Sequence, residues 1–211
     1  MEVIGIMLPS DHYINEIDSM NGMFASFFDR VLTDNESSLV KLPDGTLLIK
    51  NIPKVAPEAY LHQVFSPLNI EEIDLLEQAV GAGIPEDYKV FLQQANGLSL
   101  FSNSIALHGY KKSYSRTTSV REPFSLASLN ENDRPFDSPI ECFFIGSYRS
   151  DGSLLYLTRK DNRIHRCTRD SIRPIDEWKN LQECLLSEYE RIGRLFTPDG
   201  YKKQPNTPTH P

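Results

Sequence analysis

Apolar residues recur every three or four positions in two neighbouring stretches of the chain, and this spacing predicts two amphipathic helices. Asn69 can cap the first helix, and Gly81 and Gly83 stop it. The second helix begins at Pro85 and ends at Asn96–Gly97. The apolar positions of the two helices are Ile70, Ile73, Leu76, Val80, Tyr88, Phe91, Leu92 and Ala95. Each helix therefore has one apolar face that can pack on a core.

Runs of β-forming residues separated by turn residues follow these helices and predict an antiparallel meander. The strand-forming runs lie within 99–110, 140–148, 153–158 and 163–168. Asp151-Gly152 and Asp161-Asn162 supply tight turns between the last three strands. A polar loop, residues 111–138, joins the first strand region to the others and fits an excursion over the surface.

An N-terminal extension, residues 1–56, precedes the two helices. Helical spacing of apolar residues over His12–Leu32 predicts an amphipathic helix there. Two β-rich runs around Pro43-Asp44-Gly45 predict a hairpin, and Pro53 and Pro57 mark a linker. The extension is therefore expected to consist of a helix and a hairpin.

The strongest helical pattern lies near the end of the sequence and predicts a long closing helix over about 175–196. Its apolar positions are Ile175, Trp178, Leu181, Leu185, Tyr189, Ile192 and Phe196. The segment 197–211 holds four prolines and is expected to be a flexible tail. Together the elements predict an α+β fold, in which an antiparallel β-sheet meander packs against helices. The main domain is expected to span 57–196.

The composition is that of a globular protein and excludes several classes. Of 211 residues, 39% are hydrophobic and 24% charged, which argues against wholesale disorder. The net charge of −7 has the wrong sign for a dedicated nucleic-acid binder. The apolar stretch Val3–Leu8 is too short to span a bilayer and no basic residue precedes it. Three cysteines without a CxxC pair suggest reduced thiols, so we expect a cytoplasmic protein that does not bind membranes.

The sequence contains no recognisable catalytic or metal-binding motif. P-loop, GxGxxG, HExxH and GxSxG patterns are all absent. His165 and Cys167 would share a face in a strand, but a structural His and a buried Cys is the favoured interpretation. His62 and His108 have no second ligand at the spacing of a metal site. The sequence therefore offers no residue to assign to catalysis, and we expect no cofactor or metal.

Charge is distributed unevenly along the chain. The first 92 residues have 15 acidic and 5 basic side chains, whereas residues 93–173 have 8 acidic and 12 basic side chains. The acidic residues are densest on the two middle helices, which have one basic residue, Lys89, against Glu71, Glu72, Asp74, Glu77, Glu86 and Asp87. They form either a solvated helical face or a docking surface for a basic partner. The basic cluster around Arg166 suits a charged edge strand, and no aromatic residues interleave with it as an RNA site would need.

Residues Ile70–Gly97 resemble the opening of the SUKH superfamily, the Smi/Knr-type group. The matching features are an acidic helix with Glu77, the run Ile84–Tyr88, Phe91-Leu92 and the closing Asn96-Gly97. Later blocks also fit, namely Ile105–Gly109, Phe144–Gly146, Asp151-Gly152, Leu155–Leu157 and the closing helix with Trp178 and Leu181. The resemblance covers about residues 58–195. These positions have plain structural roles, so they bear on the fold more than on a site.

The resemblance implies an α+β domain without a known catalytic centre, so we expect a protein that is not an enzyme. Many bacterial members are immunity proteins that bind and block a cognate toxin, often a nuclease, and others are scaffolds or regulators. The extension 1–56 and the loop 111–138 are not part of the usual compact core. They could determine partner specificity, or cover a surface that shorter members leave open.

The first functional hypothesis is therefore an immunity protein that neutralises a nuclease-type toxin by stoichiometric occlusion. Its acidic surface, formed by Glu71, Glu72, Glu86 and Asp87, would face the basic cleft of the nuclease. A scaffold or regulatory module of a cellular complex is the alternative, and the identity of the partner separates the two. An enzyme of unknown type is a third possibility, and a deep pocket with convergent polar groups would favour it.

Overall fold

A computed structural model describes residues 6–7, 22–35, 38–113 and 122–211 of the chain. In these ranges ten strands form one sheet, and each strand after the first pairs antiparallel with the strand that precedes it. The strands are β1 (Ile6–Met7), β2 (Leu39–Lys41), β3 (Leu47–Asn51), β4 (Tyr60–Val64), β5 (Leu98–Leu100), β6 (Ile105–Leu107), β7 (Cys142–Tyr148), β8 (Leu154–Thr158), β9 (Ile164–Cys167) and β10 (Pro174–Trp178). The predicted antiparallel meander is confirmed.

Five α-helices accompany the sheet in the described ranges. They are α1 (Ala25–Thr33), α2 (Ile70–Val80), α3 (Glu86–Leu92), the short α4 (Leu126–Ser128) and α5 (Leu181–Gly193). A π-helical turn, Leu129–Asp133, continues α4. Helices and an antiparallel sheet in one layered unit make the fold α+β, as the sequence predicts.

Both faces of the sheet are covered by apolar residues. In β7, Phe143 and Ile145 point into a large core that includes residues of α1, α2, α3 and α5. Phe144 points to the opposite face, where it packs in a smaller cluster with Leu129 and Tyr156. Successive residues of a strand alternate between faces, so β7 is buried along almost its whole length.

The predicted ends of α2 are confirmed. The Asn69 side chain accepts a hydrogen bond from the Glu72 N–H at 2.9 Å, and the Glu72 carboxylate accepts from the Asn69 N–H at 3.0 Å. This reciprocal pair is a capping box. Gly81 ends the helix with a left-handed backbone, φ 70°.

The predicted closing helix is too long at its start. Residues 174–178 form strand β10 instead, and α5 begins only at Leu181, after Asn180 caps it through the Glu183 N–H. Ile175 and Trp178 have helical spacing, but β10 pairs with β9 and completes the sheet. Pairing with a neighbouring strand therefore overrides the local periodicity.

Two strand predictions also need correction. The single strand region expected within 99–110 is a hairpin, β5–β6, because Phe101, Ser102 and Asn103 adopt positive φ and reverse the chain. Strand β4 follows the linker at Pro57 and was not predicted. It pairs with β3 on one side and β5 on the other.

The N-terminal extension shares the sheet and the core of the rest of the chain. The predicted hairpin is present as β2–β3, and β3 pairs with β4. Of the helix predicted over His12–Leu32, residues 12–21 lie outside the described residues. Within the described part, helix α1 begins at Ala25. The rings of Phe24, just before α1, and of Phe28 in α1 lie 5.4 Å and 6.4 Å from that of Phe91 in α3. The apolar residues of α1 therefore pack directly on α3.

The C-terminal segment 197–211, expected to be flexible, contacts the domain at several points. Arg191 of α5 donates to the Thr209 carbonyl oxygen at 2.7 Å, and Thr209 is buried. The His210 N–H donates to the Ser150 hydroxyl oxygen at 3.2 Å. Part of the predicted loop 111–138, residues 114–121, lies outside the described residues.

Two buried residues attach α3 to the sheet. The Tyr88 hydroxyl group lies 2.5 Å from the His108 carbonyl oxygen and 3.1 Å from that of Ile145. Just after α3, the Asn96 side chain accepts from the Tyr110 N–H and donates to the Tyr110 carbonyl oxygen. Both contacts satisfy backbone groups near the end of β6, so the helix and the sheet have one specified relative position.

Replacing Gly97 by alanine should destabilise the fold more than the same change at Gly81. Both glycines have a left-handed backbone, for which alanine costs about 1–2 kcal/mol. At Gly97 a new Cβ would also lie 2.6 Å from the Leu107 carbonyl oxygen, whereas no described atom lies within 4 Å at Gly81. We expect Gly97→Ala to lower the free energy of unfolding by roughly 3 kcal/mol or more. Urea unfolding measures this, and equal losses in both variants would contradict it.

Candidate functional site

The outer face of α2 presents acidic and apolar side chains together. Ile70, Glu71, Asp74, Leu75 and Gln78 are all exposed and lie on one side of the helix. Ile70 is 69% exposed and Leu75 50%, which is unusual for large apolar residues. We call these five residues the α2 outer face. The buried side of α2 is formed by Ile73 and Leu76, and on the helix circumference it begins next to Ile70.

One sequence prediction about this helix is wrong. The spacing of Ile70 from Ile73 predicts that Ile70 lies on the buried apolar face. It is the first residue of α2, next to the exposed Asn69, and it projects into solvent before the helix reaches the core. Helical spacing assigns a residue to a side of the helix, but it does not show how far along the helix the core extends.

The four acidic residues expected at the site fall into two pairs with different surroundings. Glu71 is exposed and Glu72 is half-buried, and both lie in the first turn of α2. Glu86, exposed, and Asp87, half-buried, lie in the first turn of α3. No hydrogen bond or ion pair joins one pair to the other within the described part of the chain. Glu72 also forms an ion pair with Lys112, so its charge is partly neutralised.

The two helices are held together by Glu77. Its carboxylate accepts from the Ile84 N–H at 2.6 Å and from the Lys89 ammonium group of α3 at 2.8 Å. Burial alone would raise the pKa of Glu77, but these two hydrogen bonds hold that pKa below its ordinary value. The α2 outer face is thus carried by a helix whose orientation relative to α3 is fixed.

The basic cluster does not form the charged edge strand that the sequence suggests. Arg166 is buried in β9, an interior strand, and pairs with Asp151 at 2.6 Å and Asp176 at 2.8 Å. Arg163 pairs with Glu177 of β10 at 2.7 Å. The edge position belongs to β10, the strand that the sequence pattern assigned to a helix. These two arginines therefore bind carboxylates of the same chain instead of forming a free basic surface.

The His165–Cys167 pair has the surroundings of structural residues. Burial raises the pKa of the Cys167 thiol to about 12 and lowers the pKa of His165. A thiol with so high a pKa is a poor nucleophile at neutral pH. His165 stacks on Tyr156, with ring centroids 5.0 Å apart. All three cysteines of the chain, Cys142 among them, are buried and unpaired.

Two further observations concern the described residues as a whole. They include no group of three or more His, Cys, Asp or Glu side chains arranged to hold a metal ion. Their helices are each too short or too polar to cross a membrane.

Removing the charge of Glu77 should weaken the fold only above mildly acidic pH. The pKa of Glu77 is lower in the folded protein than its ordinary value of 4.5. The ionised carboxylate therefore stabilises the fold fully above about pH 4.5, and this stabilisation is lost as the pH falls through the lowered pKa. Glu77→Gln should cost about 1–2 kcal/mol at pH 7. The difference from the unmodified protein should shrink below about pH 4.

Chemical unfolding across this pH range measures the effect. Glu71→Gln is the matched control, because the Glu71 carboxylate is exposed on the same helix, and it should change stability little. A Glu77→Gln penalty that persists undiminished into acid would contradict the assigned role of the carboxylate.

Comparison with known proteins assigns the family. No curated protein and no solved structure matches the chain. The family model described as the SMI1 / KNR4 family (SUKH-1) matches residues 67–187. This match covers more than half of the chain and includes helices α2 to α4, strands β5 to β10 and the start of α5. It confirms the resemblance seen in the sequence: the chain belongs to the SMI1 / KNR4 (SUKH-1) family.

Proposed function

We propose that this chain is a non-catalytic immunity protein that binds a nuclease-type toxin and blocks it stoichiometrically. Family membership supports the general class, because the family includes immunity proteins. The observation that favours binding through a particular surface is the α2 outer face. Its carboxylates, Glu71 and Asp74, lie beside the exposed apolar residues Ile70 and Leu75.

This combination suits a basic protein partner. A nuclease cleft that binds phosphates is lined by Lys and Arg, and carboxylates can occupy it in place of the substrate. Exposed charges of opposite sign accelerate the encounter. Apolar side chains that become buried then exclude water and slow dissociation. The proposed mechanism is therefore occlusion of the cleft, with Ile70 and Leu75 as anchors and Glu71 and Asp74 as the charges that steer association.

The fixed orientation of α2 also supports this proposal. The capping box at Asn69 and the Glu77–Lys89 pair hold the helix before any partner arrives. A preorganised surface loses less conformational entropy on binding than a mobile one. Glu86, on the first turn of α3, adds a further exposed carboxylate to the acidic pair of helices.

Identification of the partner tests the function itself. The full chain would be tagged, expressed in its native host and purified, and the proteins that co-purify identified by mass spectrometry. The candidate partner would then be produced separately, and its nuclease activity titrated with this chain. Loss of activity at one equivalent supports the proposal. A partner that belongs to a housekeeping complex, with no activity to block, would move the function to a scaffold or regulatory module.

Charge reversal on the α2 outer face should slow association with that partner. We expect Glu71→Lys combined with Asp74→Lys to lower the association rate at low salt by about tenfold or more, and to make it less sensitive to salt. The matched control replaces two exposed carboxylates elsewhere, Glu58→Lys and Asp199→Lys, and should have a much smaller effect. Stopped-flow or surface-based kinetics measure the rates. An unchanged association rate at low salt would contradict docking through this face.

A further inference from the structure

A cavity of about 600 Å³ lies between α1, α5 and the strands β3 and β4. The turn between β5 and β6 closes one side through Phe101, and the segment after α5 closes another through Phe196. Its size falls within the range of small-molecule sites in proteins. None of its residues belongs to the α2 outer face, so the cavity is separate from the proposed docking surface.

His62, in strand β4, lies in the wall of this cavity and has a hydrogen-bond donor without a partner. Its side chain is 99% buried from solvent. The ring Nδ1 accepts from the Phe101 N–H at 3.3 Å, so the proton of the neutral ring is assigned to Nε2. Burial and the nearby Lys50 charge lower the pKa of His62 to about 3, so the ring is neutral at pH 7. The buried Nε2 atom has no partner among the described residues.

Positive side chains outnumber negative ones around the cavity. The charged residues that line it are Arg30, Lys50, Arg194 and Lys203 against Asp34 and Glu190. Arg30 is paired with Asp34 at 2.9 Å, which neutralises both. The ammonium group of Lys50 and the guanidinium of Arg194 have no ion-pair partner within the described ranges. A net positive cavity is notable in a chain whose net charge is −7.

The backbone at Lys50 supports a specific role for its side chain. Lys50 has φ 60°, a left-handed conformation that non-glycine residues rarely adopt. Its N–H donates to the Ser38 carbonyl oxygen at 2.6 Å, which holds this conformation. Asparagine or glycine would adopt it with less strain, so lysine at this position is not explained by the backbone. Strained residues of this kind are concentrated at ligand sites.

We propose that this cavity is a binding site for a small organic anion. Its carboxylate or phosphate head would accept hydrogen bonds from Lys50 and Arg194, next to His62, and its flat apolar body would pack against Phe101 and Phe196. An oxyanion supplies what the empty site lacks, namely a counter-charge for two cations. The aromatic walls supply the apolar contact.

Nuclear magnetic resonance titrations of the full chain at pH 7 and low salt test the proposal. The probes are sodium benzoate, inorganic phosphate and benzyl alcohol, which respectively supply a carboxylate on a ring, a phosphate head alone and a neutral ring of similar shape. The readout is the Nε2 and attached-proton resonance of His62. We expect saturable shifts with at least one of the two anions, and binding of benzyl alcohol at least about tenfold weaker than that of the better anion. The better anion identifies the head group.

The variant Lys50→Asn distinguishes a loss of anion binding from a loss of folding. Asparagine tolerates the left-handed backbone, so the variant should stay folded while it weakens anion binding about tenfold. Lys160→Asn removes an exposed lysine that does not line the cavity and should leave binding unchanged. The proposal is overturned if neither anion shifts the His62 resonance or if benzyl alcohol binds as tightly as the better anion. It is also overturned if Lys50→Asn and Lys160→Asn bind the better anion equally tightly.

Discussion

The position of α3 on the sheet depends on the buried hydroxyl group of Tyr88. This group lies within hydrogen-bond distance of the His108 and Ile145 carbonyl oxygens, where β6 and β7 meet. A buried hydroxyl left unpaired would cost about 1–3 kcal/mol, so α3 is stable in one position. From there Lys89 of α3 reaches the Glu77 carboxylate of α2. The sheet thus determines the position of α3, and α3 determines that of the α2 outer face.

This arrangement explains why the residues that match the family identify the fold but do not identify a functional site. Tyr88, Asn96 and Gly97 attach α3 to the end of β6, and Pro85 and Glu77 join α3 to α2. Each of these residues has a structural role, and none needs a ligand to account for it. The side chains that α2 presents to solvent have no such structural role. Function then follows from exposed side chains that the common framework leaves free.

Several features could be predicted from the sequence because their causes are local. The capping box at Asn69, the end of α2 at Gly81 and the β2–β3 hairpin all depend on residues a few positions apart. The start of α5 and the burial of Arg166 could not be predicted, since both depend on the pairing of β9 with β10. The cavity beside His62 is assembled from segments far apart in the chain, such as α1, β3 and α5, and has no sequence pattern. The exposure of Ile70 depends on where the core ends.

Hydrogen–deuterium exchange of the full chain, alone and saturated with its identified partner, tests most directly whether the domain recognises that partner through the α2 outer face. Backbone amides in the final turns of α2 exchange according to how often the helix opens, and a partner seated on the helix suppresses that opening. The account predicts added protection over residues 73–80, with little change in β8 and β9. Unchanged exchange in α2, with new protection elsewhere, would contradict it.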